Sequence, residues 1–457
     1  TKSDSKQVQV GKFLSLQNSV FDKAGALSKR NGFANITQLP NALQTTLTTL
    51  NDNLLATGSN LYAYSANTNT WLDQGRVQPV QLAVQPLVRV STSQTAPDTA
   101  IAPSGLTCLV YIDNAIAYYQ MSDSVTGQQI VQRTALPATA TNPRVFLLGR
   151  YFIITFIATV SGAPHLQFIA IPTATPSVPG AATDISTAVT SLTAGYDGYV
   201  INSNLYIGWS STGAAVRIAY LTPALGITPS TPIAASTATL MSLSGDSINN
   251  TIWMTWYDSA TTNGYTAAFN FNLVPILTKT QVITTTATNN ITSVVANGLL
   301  TLLSEVQNTY TYAPNAKTDF IVKRTVTQAG VVSAASVILR SVGLASKAFI
   351  DDSGIIYTLA TYGEVNQPTY FLIDSNGNIY MRLAYANGGG YKTSQVLPTV
   401  TSLDSVYYVP YLIKDFLATV NKDTGLVSGT PVNGIYTQTG INLAKFDINI
   451  KGQYSSE

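Results

Sequence analysis

Hydrophobic and polar residues alternate in short runs along most of this chain, and Asn, Gly, Asp and Pro bound the runs. Alternation with period two among Ile, Tyr, Thr and Leu describes half-buried strands. The clearest unit spans 352–385. Residues 354–362 read as one strand, 363–368 as a turn and 369–373 as a second strand. Asp374-Ser375-Asn376-Gly377-Asn378 then reads as a tight hairpin turn, because Asn and Gly accept positive φ at little cost. Residues 379–385 return as a third strand. A lone three-stranded meander cannot bury both faces, so the unit requires neighbours.

The rest of the chain supplies them. A strand opened by a turn residue begins at Asn60 (NLYAYS), Asn114 (NAIAYYQ), Arg150 (RYFIITF), Asn204 (NLYIGWS), Asn250 (NTIWMTWY), Gly298 (GLLTLLSE), Gly354 (GIIYTLATY) and Ser405 (SVYYVPYL). The steps average roughly 49 residues, the period of four-stranded propeller blades. The fold expected is all-β, a β-propeller of seven or eight four-stranded blades with eight favoured, preceded by an N-terminal arm. All eight strands should then hold equivalent places, with helix under about a tenth of residues. A string of β-sandwich domains would group its strands in blocks of ~100 residues, and the spacing here is shorter and more even. Residues 1–28 read as the arm or the end of a preceding segment, and 29–457 as the propeller, leading on to any further C-terminal part. Leu39, Leu43, Leu47 and Leu50 have helical spacing in a Thr-rich stretch, which reads as one short helix or an outer strand. The stretch 78–104, rich in Pro and Gln, reads as an edge strand and an excursion loop between blades. Residues 443–450 read as a last strand that closes the ring or leaves it.

Composition sharpens this picture. Hydrophobic residues are 45% of the 457, enough for a sizeable core, while charged residues are only 10%, against the ~25% usual in soluble domains. Net charge is +2 with the cations scattered, so no nucleic-acid-binding arm is expected. The single cysteine, Cys108, sits in LTCLVYI and reads as a buried apolar residue. No apolar run reaches the ~18–20 residues of a membrane-spanning helix; VFLLGRYFIITFIA is broken by Gly149 and Arg150 and reads as two strands of one blade.

Catalytic chemistry has little to work with. His165, the only histidine, follows Ala163-Pro164 and reads as a turn residue with no metal and no carboxylate–serine pair around it. No Cys/His metal cluster can form, and no G-x-S-x-G elbow supplies a nucleophile. Asp374 and its Asn and Gly neighbours lack the later acid of a calcium loop, so a plain hairpin is favoured. The repeated S-x-D-x-G-x-T-W turn of sialidase propellers is absent. The chain is expected not to be an enzyme and to need no cofactor. Its alternative reading is a secreted or surface propeller that binds or cleaves glycans.

Residues 18–36 are the most distinctive segment. Asn18, Gly25, Leu27, Lys29, Arg30, Gly32 and Phe33 together resemble the opening of the tail nozzle (tail tubular protein B-like) family of short-tailed bacteriophages, in which such a segment precedes a propeller. Asn31 stands where that family often has Pro, and it keeps the turn chemistry. The resemblance implies a structural virion protein of the tail, assembled as a homo-oligomeric ring, a hexamer. Its partners would be the portal or adaptor ring and the tail fibre proteins, with viral DNA passing transiently. Near-neutral charge suits a channel that lets DNA slide, since many phosphate contacts would hold the duplex. Lys29, Arg30, Gly32 and Phe33 are the candidate assembly residues. Arg30 can make a forked contact and Phe33 can bury a ring worth roughly 1.5–3 kcal/mol, whereas an exposed lysine pair contributes about 0–1 kcal/mol. Arg30→Ala and Phe33→Ala should therefore impair assembly while Lys29→Ala is nearly silent; particle counts for the three variants check this, and wild-type assembly in all three would remove the segment's role.

Overall fold

The structure, a computed structural model, describes residues 19–21, 27–29, 46–50, 53–57, 60–65, 67–76, 80–81, 85–91, 94–124, 126–228, 231–307, 319–340, 342–351, 354–362, 369–382, 397–403, 406–415, 419–420, 427–428 and 438–447. Among these, every regular element is a strand. The chain divides into two compact units, Thr1–Arg76 and Val77–Glu457.

In the first unit a short hairpin pairs Ser19–Phe21 with Leu27–Lys29. Thr46–Leu50, Asn53–Thr57, Asn60–Ser65 and Thr70–Arg76 form a four-stranded antiparallel sheet in sequence order. Of the two readings of the Leu39–Leu50 stretch, the strand holds over 46–50, and 39–45 lie outside the described residues.

The second unit is a β-propeller. Its first five sheets are four-stranded and run in sequence order: Gln94–Ile101 to Gln129–Ala135, Thr141–Leu148 to Thr183–Ser186, Tyr196–Ile201 to Thr231–Ala235, Leu240–Asp246 to Pro275–Ile283, and Thr288–Ala296 to Ser336–Arg340. The sixth begins with a divided strand, Val342–Leu344 and Phe349–Ile350, both paired to Ile356–Tyr362. In the seventh, Gln438–Asp447 pairs on one side with Val406–Asp415 and on the other with Val80–Gln81 and Gln85–Ser91. The ring is thus closed by a strand from the N-terminal side of the unit. Seven sheets of this kind lie among its described residues; the eighth repeat read from the sequence is the sheet of the first unit.

Six of the eight repeat strands share one place, the second of their sheets. Asn60–Ser65 and Ile116–Asp123 instead occupy the third, which corrects the expectation that all eight are equivalent. In the first propeller sheet the second strand is Leu106–Asp113, which is as apolar as its neighbour. Strand periodicity reports which face is buried and not which place in a sheet a strand holds. Stretch 78–104 is corrected too: Gln94–Ile101 is an inner strand, with Ala96–Ala100 buried, and not an excursion loop.

The turns explain the Asn signal. Asn114 and Ala115 have φ of 48° and 64°, and Asn202 and Ser203 have φ of 50° and 58°, the pair of positive values that a two-residue hairpin twist demands. Asp374 accepts from the N–H groups of Asn376 and Asn378 at 2.8 and 3.0 Å, closing the hairpin as the sequence implied.

Alternation then sends neighbouring residues to opposite faces. Ile154 packs between the first and second sheets with Val110 and Phe152. Ile153 packs between the second and third with Phe146 and Trp209. The same arrangement repeats around the ring, Tyr206 with Trp256 and Met254, Trp253 with Leu302, Leu303 with Ile373, and Tyr357 with Tyr407. Leu109 and Tyr111 meet Ile441, and Ile101 meets Leu443, across the closure. Cys108 is fully buried, and burial pushes its thiol pKa far up.

Gly198 shows how tight this packing is. A Cβ there would lie 2.6 Å from Cζ of Phe146 in the adjacent sheet. Gly198→Ala should cost about 1–3 kcal/mol through overpacking, and Phe146→Leu in the same chain should recover part of it; thermal and denaturant unfolding of the two variants check this.

Candidate functional site

First strands of successive sheets contact one another, Gln94–Ile101 with Thr141–Leu148, Thr141–Leu148 with Tyr196–Ile201, Tyr196–Ile201 with Leu240–Asp246, and Leu240–Asp246 with Thr288–Ala296. They therefore line the propeller axis. A charged residue on or beside such a strand can point into a space shared by several sheets, and four do so.

Asp98, Arg144 and Asp197 lie on the first strands of the first three sheets, and Lys347 lies between the two halves of the divided strand of the sixth. Arg144 Nη1 is 2.9 Å from Asp197 Oδ1, and its Nε is 3.3 Å from Asp98 Oδ2. Lys347 Nζ reaches both oxygens of Asp197 at 2.6 Å. Arg144 Nη2 also donates to the Leu397 carbonyl at 3.1 Å and to Thr399 Oγ1 at 3.2 Å. Both aspartates are 0% exposed, with Arg144 at 3% and Lys347 at 8%.

Each carboxylate also clamps backbone from neighbouring sheets. Asp98 accepts from Val145 N at 3.2 Å and from Thr399 N at 2.7 Å. Asp197 accepts from Leu243 N at 2.8 Å. Neutral residues continue the pattern: Ser242 Oγ accepts from Ser293 N at 2.9 Å, and Thr292 Oγ1 accepts from Ala348 N at 2.7 Å. Glu305 Oε2 accepts from Leu344 N at 2.9 Å and from Asn290 Nδ2 at 3.1 Å. Lys347 N donates to the Pro398 carbonyl at 2.9 Å.

The electrostatics follow from burial and sign. Burial works against the Arg144 charge, but Asp197 and Asp98 outweigh it and hold its pKa above the ordinary value. Lys347 is pushed down to about 8, first by burial and then by Arg144, with Asp197 only partly offsetting them. The Tyr196 phenol is pushed up by burial; it donates to the carbonyls of Asn142 and Thr155.

Above this cluster lies a cavity of about 270 Å³, at the end where the first strands begin. Asn142, Thr193, Thr239 and Asn290 give its lining amide and hydroxyl groups, Leu240, Met241 and Ile291 give apolar wall, and Arg144 and Lys347 reach it from the cluster. Among the described residues this lining holds no Asp, Glu or His.

The residues singled out in the sequence lie elsewhere. Lys29 ends the hairpin strand Leu27–Lys29, and Arg30, Gly32 and Phe33 lie outside the described residues. His165 is corrected: it lies on the strand Ala163–Pro172, not on a turn. It also has a carboxylate neighbour. Its Nδ1 is 3.1 Å from Asp184 Oδ1 but makes no hydrogen bond, and Gln167 Nε2 donates to that oxygen at 2.8 Å instead. Among the described residues no group of His, Cys, Asp and Glu is disposed to hold a metal. Sequence reasoning missed the axial four. Their signal was a single charge inside an apolar stretch, as in NPRVFLL and LASKAFI, in a chain with few charges.

No family model matches the chain, and no curated protein matches it. Solved propellers do. The BP39L lectin from Burkholderia pseudomallei is 13% identical over 71% of this chain and 93% of its own, with a TM-score of 0.48. The polysaccharide lyase Uly1 is 10% identical over 78% of this chain and 90% of its own, with a TM-score of 0.46. The β-propeller domain of the Trilobed protease from Pyrococcus furiosus is 8% identical over 60% of this chain and 78% of its own, with a TM-score of 0.38. At these identities the likeness concerns architecture alone.

The depressed Lys347 gives a pH signature. Its folded pKa of about 8 lies below the ordinary lysine value of 10.5, so between those values the unfolded chain holds a proton that the native state has lost. Stability from this group therefore rises with pH across that window, by up to about 1.4 kcal/mol per pH unit, and is lowest below pH 8. Lys347→Met should flatten the rise; denaturant unfolding of wild type and variant from pH 7 to 10 checks it.

Proposed function

We propose that this chain is a non-catalytic binding propeller whose axial pocket holds a glycan unit. The observation that supports this is the pocket itself. It is a ring-sized cavity, a little below the ~300 Å³ at which drug-sized ligand sites begin. A sugar presents hydroxyls at its edge and C–H groups on its face. The amides and hydroxyls of Asn142, Thr193, Thr239 and Asn290 match the first, and Leu240, Met241 and Ile291 match the second. Binding without cleavage is the reading favoured by a lining that holds no Asp or Glu among the described residues. Glycoside hydrolysis generally needs two carboxyl groups flanking the bond, whereas Asp98 and Asp197 are fully buried and committed to Arg144, Lys347 and backbone N–H groups. This reading suits a secreted or surface protein.

A second reading, a tail nozzle subunit, is favoured by a different observation. The hairpin of Ser19–Phe21 and Leu27–Lys29 belongs to a compact unit separate from the propeller, which is the order of parts that the resemblance implies. In that setting the chain would form a ring, a hexamer, with the portal or adaptor ring and fibre proteins as neighbours. The two readings are compatible, since a tail protein can carry a glycan pocket.

The test is a binding screen of the full chain against a panel of neutral and acidic oligosaccharides, with Thr193→Trp as the pocket-blocking variant because Thr193 is exposed at the rim. Saturable binding that Thr193→Trp abolishes, with no change in the oligosaccharide over time, is the expected result. Binding unaffected by Thr193→Trp, or turnover, would overturn it.

A further inference from the structure

The pocket is electrically lopsided although the cluster beneath it is balanced. Arg144 and Lys347 form part of its wall, and their counter-charges do not: Asp98 and Asp197 are 0% exposed and absent from the lining. A ligand entering from the rim meets two cations first and two anions only behind them. In a cleft with low-dielectric walls this order sets the sign of the local potential.

A guanidinium offers five N–H groups. In Arg144, Nε faces Asp98, Nη1 faces Asp197, and Nη2 serves Leu397 and Thr399, which leaves one Nη1 hydrogen without an assigned acceptor among the described residues. A carboxylate oxygen at the pocket floor would supply that acceptor and gain a charge-assisted bond. A neutral hydroxyl there accepts from the same cation but adds no opposite charge.

We propose that the axial pocket selects an acidic sugar, with the sugar carboxylate seated against Arg144 and Lys347. The inference rests on the glycan reading above and adds the ligand's charge to it.

A consequence follows from the groups that surround Lys347. They are Arg144 from the second sheet, Asp197 from the third and Asp98 from the first. Burial and Arg144 hold the Lys347 pKa down to about 8. An added carboxylate opposes the Arg144 contribution and raises that pKa. Above pH 8 the acidic sugar must therefore bind together with a proton, and its affinity falls by up to tenfold per pH unit. A neutral sugar carries no such dependence.

The experiment is calorimetric titration of the full chain with glucuronate and N-acetylneuraminate, with the methyl ester of glucuronate and glucose as neutral partners, and with acetate as a bare carboxylate. Each is run at pH 7 and pH 9. The expected result is that the acidic sugars bind at least tenfold more tightly than the ester, glucose and acetate at pH 7, and weaken about tenfold by pH 9. Lys347→Gln should remove the pH dependence. Equal binding of acidic and neutral sugars would overturn this inference and leave the glycan reading standing. Acetate binding as tightly as the acidic sugars, or no binding by any probe, would overturn both. Because the wild-type comparison of acid with ester involves no substitution, the inference stays falsifiable if Lys347→Gln fails to fold.

Discussion

Two cations and two anions buried at the propeller axis are the constraint on which the rest of the ring depends. Taking four charges out of water carries a penalty of several kcal/mol per ion, so such a cluster is a poor source of net stability. Its value lies in what else the carboxylates hold. Asp98 joins the first sheet to backbone of the second and seventh, and Asp197 joins the third to backbone of the fourth. Arg144 joins the two aspartates, and Lys347 ties the sixth sheet to the third. Elsewhere in the ring, the hydroxyls of Ser242 and Thr292 and the carboxylate of Glu305 provide the same acceptor for the next sheet's N–H. Apolar contacts between sheets have no direction of their own, whereas a hydrogen bond with a defined acceptor has one. The axial set therefore fixes the register at which the apolar faces meet.

The same cluster decides what the axis can do. Lys347 and Asp197 meet across the ring, so side chains bridge the propeller's own axis. Any conduit in the assembly implied by the tail resemblance would have to lie between subunits and not through a single propeller. The bridge also gives the pocket a floor. Without it the space at the start of the first strands would open into the ring; with it, that space is a closed-ended cavity lined by residues from several sheets.

Much of this fold was legible in the sequence because its code is local. Period-two alternation gave the strands, and Asn-led turns with paired positive φ, as at Asn114 and Asn202, marked where they reverse. The place of a strand within its sheet was not local, which is why Leu106–Asp113 was passed over and the repeat shifted by one strand in the first propeller sheet. The site was the least legible part. Asp197 and Lys347 lie 150 residues apart, and only the ring topology brings them together. His165 drew attention as the lone histidine, yet rarity is a property of composition and not of geometry: it became one member of a strand. Lys347 and Asp98 drew none, although each is a single charge within an uncharged run, and they became the centre.

Closure of the ring extends this point to folding. The last long strand, Gln438–Asp447, takes its outer partner from Val80–Gln81 and Gln85–Ser91, about as far away in sequence as the second unit allows. The loop entropy for such a pairing must be met before the contact returns anything. Each sheet can form from its own sequence, but the seventh cannot be completed until the ring has brought its ends together. The axial bonds behave likewise, because Asp98 needs Thr399, and Arg144 needs both Leu397 and Asp197. Closing strand and axial cluster are therefore two halves of one cooperative step: the strand seals the rim of the seventh sheet, and the cluster seals its hub.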